Sequence, residues 1–150
     1  MTEIGFYQLS RRPIEAVVPP LVVKARSAGL RLLLRSNDAV LLALIDERLW
    51  SFQPSSFVPH GSAASLPPER VASQPVLLDS AFPPANAADC LMQLGGDIPD
   101  ALNGLARVLY LFGEAELDTA RARWRRIRQD AALRATYWRE TDEGRFEKAA

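Results

Sequence analysis

Seven of the sixteen arginines in this 150-residue chain lie in one stretch, Ala120–Arg139, ARARWRRIRQDAALRATYWR. Two tryptophans and a tyrosine share it, and its only acid is Asp130. A guanidinium fork can bond two oxygens of a carboxylate or phosphate at once, and an aromatic ring beside it adds apolar or stacking contact. The chemistry on offer is therefore recognition of an anion that also carries an apolar group. The formal net charge is zero, and 71–119 compensates for the basic stretch with seven acids against Arg107 alone. A neutral protein that gathers its positive charge on one element presents an anion-binding face there.

The spacing within the stretch separates its arginines. At about 100° per residue, Arg121, Arg125, Arg128 and Ala132 fall on one strip of a helix. Leu117, Ala120, Trp124 and Ala131 form the strip beside it, while Arg123, Asp130 and Arg134 point toward solvent. Three readings fit this pattern. The helix is a solvated basic surface with Trp124 as core, a platform for single-stranded nucleic acid, or a socket for an acidic peptide. The residues alone leave all three open.

Other chemistry finds little support. No GxxxxGK[ST] motif occurs, and no GxGxxG follows a strand candidate, so no phosphate-binding loop is expected. His60 is the single histidine, which leaves a histidine metal site or a Ser-His-Asp triad little to build on. Between Pro59 and Gly61 it reads as a turn-stabilising residue. Cys90 is the only cysteine, so no intrachain disulfide can form, and it reads as a small buried hydrophobe. The chain is expected to have no catalytic residues, cofactor or metal. It contains no long apolar run and no secretory signal pattern, which fits a cytoplasmic protein.

The elements that must position the basic stretch alternate between extended and helical patterns. Glu3–Leu9 reads as a first strand. A helix is expected to start at Pro19-Pro20 and to end at Gly29, followed by a strand at Leu30–Leu34. Ser36-Asn37-Asp38 caps a further helix that ends near Trp50. Residues 51–86 hold seven of the eleven prolines and read as an elaborated loop with short extended pieces at Ser56–Pro59 and Pro75–Leu78. A helix is expected at Asn86–Leu94, stopped by Gly95-Gly96, then a strand at Leu105–Phe112 and a last helix at Glu114–Leu133. This order predicts one α/β domain with a largely parallel central sheet flanked by helices.

Three motifs in this order carry a family resemblance. Phe6-Tyr7 sits in the opening strand. Leu49-Trp50 is followed by Ser56-Phe57-Val58-Pro59-His60. Near the end stands Ala120–Arg128, ARARWRRIR. Together they resemble the chi subunits of the bacterial DNA polymerase III holoenzyme, over almost the whole chain. The resemblance implies a non-catalytic, Rossmann-like domain at 1–140 without a working phosphate loop, leaving 141–150 as a flexible acidic tail. It also implies two partners, the psi subunit of the clamp-loader complex and the acidic, phenylalanine-ending tail of single-stranded DNA-binding protein. On that resemblance the tail site falls on Arg121, Trp124, Arg125 and Arg128, and the psi site on Trp50 and Phe57. Nucleic acid would be met only indirectly, through the protein that coats it.

Overall fold

The structure, a computed structural model, describes residues 1–51, 58–102 and 104–150. Among these residues eight strands form a single sheet: β1 (Thr2–Gln8), β2 (Leu32–Arg35), β3 (Gly61–Ser62), β4 (Val76–Asp79), β5 (Cys90–Leu94), β6 (Arg107–Phe112), β7 (Leu133–Glu140) and β8 (Phe146–Lys148). Their order across the sheet is β3-β4-β2-β5-β6-β1-β7-β8. Every pairing is parallel except β7 with β8. The expected α/β architecture with a mostly parallel sheet is what the chain adopts.

Among the described residues four α-helices accompany the sheet: α1 (Ile14–Ser27), α2 (Ala39–Ser51), α3 (Pro68–Val71) and α4 (Leu117–Ile127). Strand-to-strand crossovers are right-handed, so the direction in which the chain moves along the sheet decides which face a helix covers. The step from β1 to β2 runs one way and sets α1 on the first face, followed by α2. The step from β6 to β7 runs the other way and sets α4 on the second. Alternation along the strands feeds both cores. Leu32, Leu34, Cys90, Met92, Leu109 and Leu111 face the first, while Ile4, Phe6, Leu33, Leu91, Val108 and Tyr110 face the second.

Several elements differ from the sequence expectation, each for a physical reason. Helix α1 starts at Ile14, directly after an extended Pro13, and carries Pro19 and Pro20 inside it. Neither proline can donate to the carbonyl four residues back, at a cost of about 3 kcal/mol for an interior proline. Burial of Val17, Val18, Val22 and Ala25 on one stripe offsets that cost. The helix expected at Asn86–Leu94 is instead a loop followed by β5. Its Ala, Leu, Met and Gln favour helix locally, yet all five strand residues are buried on a sheet covered on both sides, which overrides propensity. Asn86 spans the gap, its side-chain amide donating to Leu32 O at 3.0 Å and Gln74 O at 2.9 Å.

Gly95-Gly96 therefore ends a strand rather than a helix. Both glycines have positive φ, +70° and +58°, and a Cβ on Gly95 would lie 2.7 Å from Glu116 Oε1. Side chains occupy the turn's carbonyls: Gln93 donates to Gly95 O at 3.0 Å, and the Tyr110 hydroxyl donates to Gly96 O.

The last helix also stops earlier than expected. It ends at Ile127, and a turn held by Asp130, whose Oδ1 accepts from Ala132 N–H at 2.9 Å, leads into β7. The segment 141–150, read from sequence as a flexible tail, holds β8, and Ala149 N–H donates to Tyr137 O at 2.7 Å.

Glu140 closes the end of β7. Its side chain is buried, Oε1 accepts from the backbone N–H of Ser10, Arg11 and Arg12 at 3.0, 2.8 and 3.1 Å, and Oε2 lies 2.5 Å from Arg12 Nε. Burial pushes its pKa up, but the Arg12 fork and the three N–H groups together outweigh burial and hold it at about 2. A carboxylate depressed in the folded state stabilises fully above its ordinary value and loses that contribution as pH falls toward 2. Glu140→Gln is expected to cost about 1–3 kcal/mol in urea denaturation at pH 7. The gap to the parent protein should shrink steadily when the measurement is repeated below pH 4; an unchanged gap would contradict this role.

Candidate anion-binding face

Helix α4 docks through Leu117, Ala120, Trp124 and Ile127, a 3-4-3 spacing that sets one stripe on the second core. Trp124 is half-buried there. Its ring meets Phe6 edge-on at 5.4 Å and Tyr137 edge-on at 5.4 Å, while Tyr137 lies nearly parallel to Phe6 at 6.1 Å. The aromatic at the border of the basic strip is thus fixed by two rings from neighbouring strands, and part of it stays at the surface.

Arg121, Arg125 and Arg128 are exposed. Among the described residues none of the three side chains makes an ion pair or a hydrogen bond. The Arg128 guanidinium lies 5.3 Å from the centre of the Trp124 ring, a cation–π contact that orients it without neutralising it. The four residues marked by sequence as one site are therefore together on α4: three unneutralised cations along a half-buried indole.

Arg123 departs from expectation. Instead of pointing to solvent, its side chain is 15% exposed and forks onto the loop after β5. Nε and Nη2 donate to the two Asp97 carboxylate oxygens at 2.9 and 3.1 Å, and Nη1 donates to Asp100 at 2.6 Å. Its hydrogen bond lowers the Asp100 pKa, and the Asp97 bond raises that of Arg123. A helical projection gives direction only; it cannot show that two acids stand opposite. The face assignment also fails beyond Ile127, because Ala131 and Ala132 lie in the turn and Arg134 in β7, where it approaches Glu3 at 3.8 Å.

One residue of the face escaped sequence reading. Arg139 shares the α4-side face of β7 with Tyr137, its guanidinium 6.0 Å from the tyrosine ring. Burial raises the Tyr137 pKa, and the nearby Arg139 and Arg121 pull it back. The signal was the alternation in Leu133–Glu140, visible only once that segment is taken as a strand.

The other marked residues lie elsewhere. Trp50, at the end of α2, is 58% exposed and packs on the His60 ring at 4.7 Å. His60 is buried, with Nδ1 2.7 Å from Val58 O and Nε2 2.9 Å from Asp46 Oδ1, so it ties its turn to α2. Phe57 lies outside the described residues. Burial pushes the Cys90 thiol up to about 12, so it stays a protonated core side chain. Among the described residues no cluster of His, Cys, Asp and Glu could hold a metal, and no helix is long and apolar enough to cross a membrane.

The family model "DNA polymerase III chi subunit, HolC" matches residues 1–133. The DNA polymerase III subunit chi of Pseudomonas aeruginosa is 32% identical over 143 residues, covering 93% of this chain and 91% of that protein. The family model covers the chain from β1 through α4 to the start of β7, the relative covers 93% of it, and the chain belongs to the non-catalytic DNA polymerase III chi subunit family.

Proposed function

We propose that the chain tethers the replicase to coated single-stranded template, binding the acidic C-terminal tail of single-stranded DNA-binding protein on α4 and the clamp loader through psi. The observation that carries this reading is the Arg121–Arg125–Arg128 row, exposed and unneutralised beside Trp124. Carboxylates of the tail pair with the arginines, and its terminal phenyl lies against the exposed part of the indole. Arg139 extends the row from the neighbouring strand. Psi docks at Trp50, which is exposed at the end of α2, and at Phe57.

A charge-assisted contact contributes roughly 1.5–3 kcal/mol, so Arg128→Ala is expected to weaken tail-peptide binding about tenfold to a hundredfold in calorimetry, without a change in Tm. Arg123→Ala separates positioning from contact: it should lower Tm and tail affinity together, because α4 loses its clamp to Asp97 and Asp100. A bare oligonucleotide titrated in parallel should bind weakly and with steep salt dependence. Oligonucleotide binding tighter than the peptide's would instead make the face a nucleic-acid platform.

For the second partner, Trp50→Ala is expected to reduce psi binding by about thirtyfold, the scale of an aromatic hot spot, and to leave the tail titration unchanged. Undiminished co-purification with psi would remove Trp50 from that interface.

A further inference from the structure

The sheet has a second cationic site, on the face away from α4. Beside α1 a cavity of about 490 Å³ opens over β6, β1 and β7. Its floor and outer wall are aromatic. Tyr7 lies nearly parallel to Trp138 at 6.2 Å and receives the edge of Phe146 at 5.1 Å. The Tyr7 ring lies back over Gly5, where a Cβ would come within 2.7 Å of it, and the Trp138 indole N–H donates to Thr136 Oγ1 at 3.1 Å. The rings are thus held in place before anything binds.

Three cations line the same cavity: Lys24 from α1, Arg107 from the start of β6 and Arg145 from the turn before β8. All three are exposed, and no acid lines the cavity with them. Among the described residues none of their side chains makes an ion pair or a hydrogen bond. Leaving three like charges around one apolar hollow is unfavourable unless an anion joins them. The volume lies within the roughly 300–1,000 Å³ range of small-molecule sites and holds one ring system with its anionic group, not an extended polymer. Trp138, Arg145 and Phe146 all fall beyond the residues that match the family model.

We propose that this cavity binds a small organic anion with a flat aromatic body, its phosphate or carboxylate held by Lys24, Arg107 and Arg145 and its ring laid against Tyr7, Trp138 and Phe146. The site is independent of the α4 face.

Calorimetry on the full chain with thymidine monophosphate and, separately, N-acetylphenylalanine tests it. At least one probe is expected to saturate a single site with a Kd below about 1 mM. A response to the phosphate probe identifies a nucleotide-like ligand, and a response to the carboxylate probe an aromatic acid. Arg107→Gln and Arg145→Gln should each weaken that binding about tenfold, the loss expected for one charge-assisted contact. Gly5→Ala should weaken it by displacing the Tyr7 ring, and Arg128→Ala should leave it unchanged. The proposal is overturned if neither probe saturates by about 10 mM. It is equally overturned if binding ignores the Arg107 and Arg145 variants, or if Arg128→Ala weakens it as much as they do.

Discussion

The rest of the structure depends on β1 being paired along both edges. Its six C-terminal residues, Glu3–Gln8, pair with β6 on one side, and all seven, Thr2–Gln8, pair with β7 on the other. An unpaired edge on a strand carrying the fully buried Ile4 and Phe6 would expose both its backbone groups and its core contacts. Closing that edge needs Leu133–Glu140 in parallel register, so the chain after β6 must cross over the sheet and return. Helix α4 is that crossover. Its length, its stop at Ile127 and the placing of its apolar stripe over Phe6 and Tyr137 follow from the need to deliver β7 beside β1. The arginine row is left exposed because the neighbouring stripe is the one committed to this task.

The same geometry explains how much was legible in the sequence. Arg107–Phe112, buried almost throughout, could be placed because its Val, Tyr and Phe favour a strand, and the helix capped by Asp38 because local pattern and tertiary role agree. Cys90–Leu94 could not, since a strand buried on both faces has no alternation and its residue types favour helix. Pro19 and Pro20 misled in the opposite way, because the stripe they interrupt is buried strongly enough to tolerate them. Leu133–Glu140 was hidden by continuity of charge: arginines run from α4 into β7 without a change of composition at the turn. Within the site, the exposed row could be read from spacing alone. Arg123 and Arg139 could not, because their partners, Asp97, Asp100 and Tyr137, come from other parts of the chain.

Net charge proves a poor guide to what the molecule can bind, and pairing a better one. The most basic element of the chain also holds an arginine that is not free to meet a ligand, since Arg123 is satisfied by two acids. Glu140 treats Arg12 in the same way, turning a surface cation into a fastener for the loop after β1. What remains after such pairing is not spread evenly. Two unneutralised groups stand beside aromatic rings: one borders Trp124 and Tyr137 on the second face of the sheet, and one borders Tyr7, Trp138 and Phe146 on the first.

Both groups arise from one strand. Tyr137 and Arg139 of β7 point toward α4, while Trp138 between them points to the cavity beside α1, as the two-residue period of a strand requires. A register slip of one residue in β7 would turn Tyr137 and Arg139 toward α1 and Trp138 toward α4, exchanging the aromatic rings and cations of the two faces. The Glu140 carboxylate, held by three backbone N–H groups and Arg12, prevents that slip by fixing the end of β7 to the end of β1. A structural contact with no part in recognition thereby decides which face each recognition residue serves.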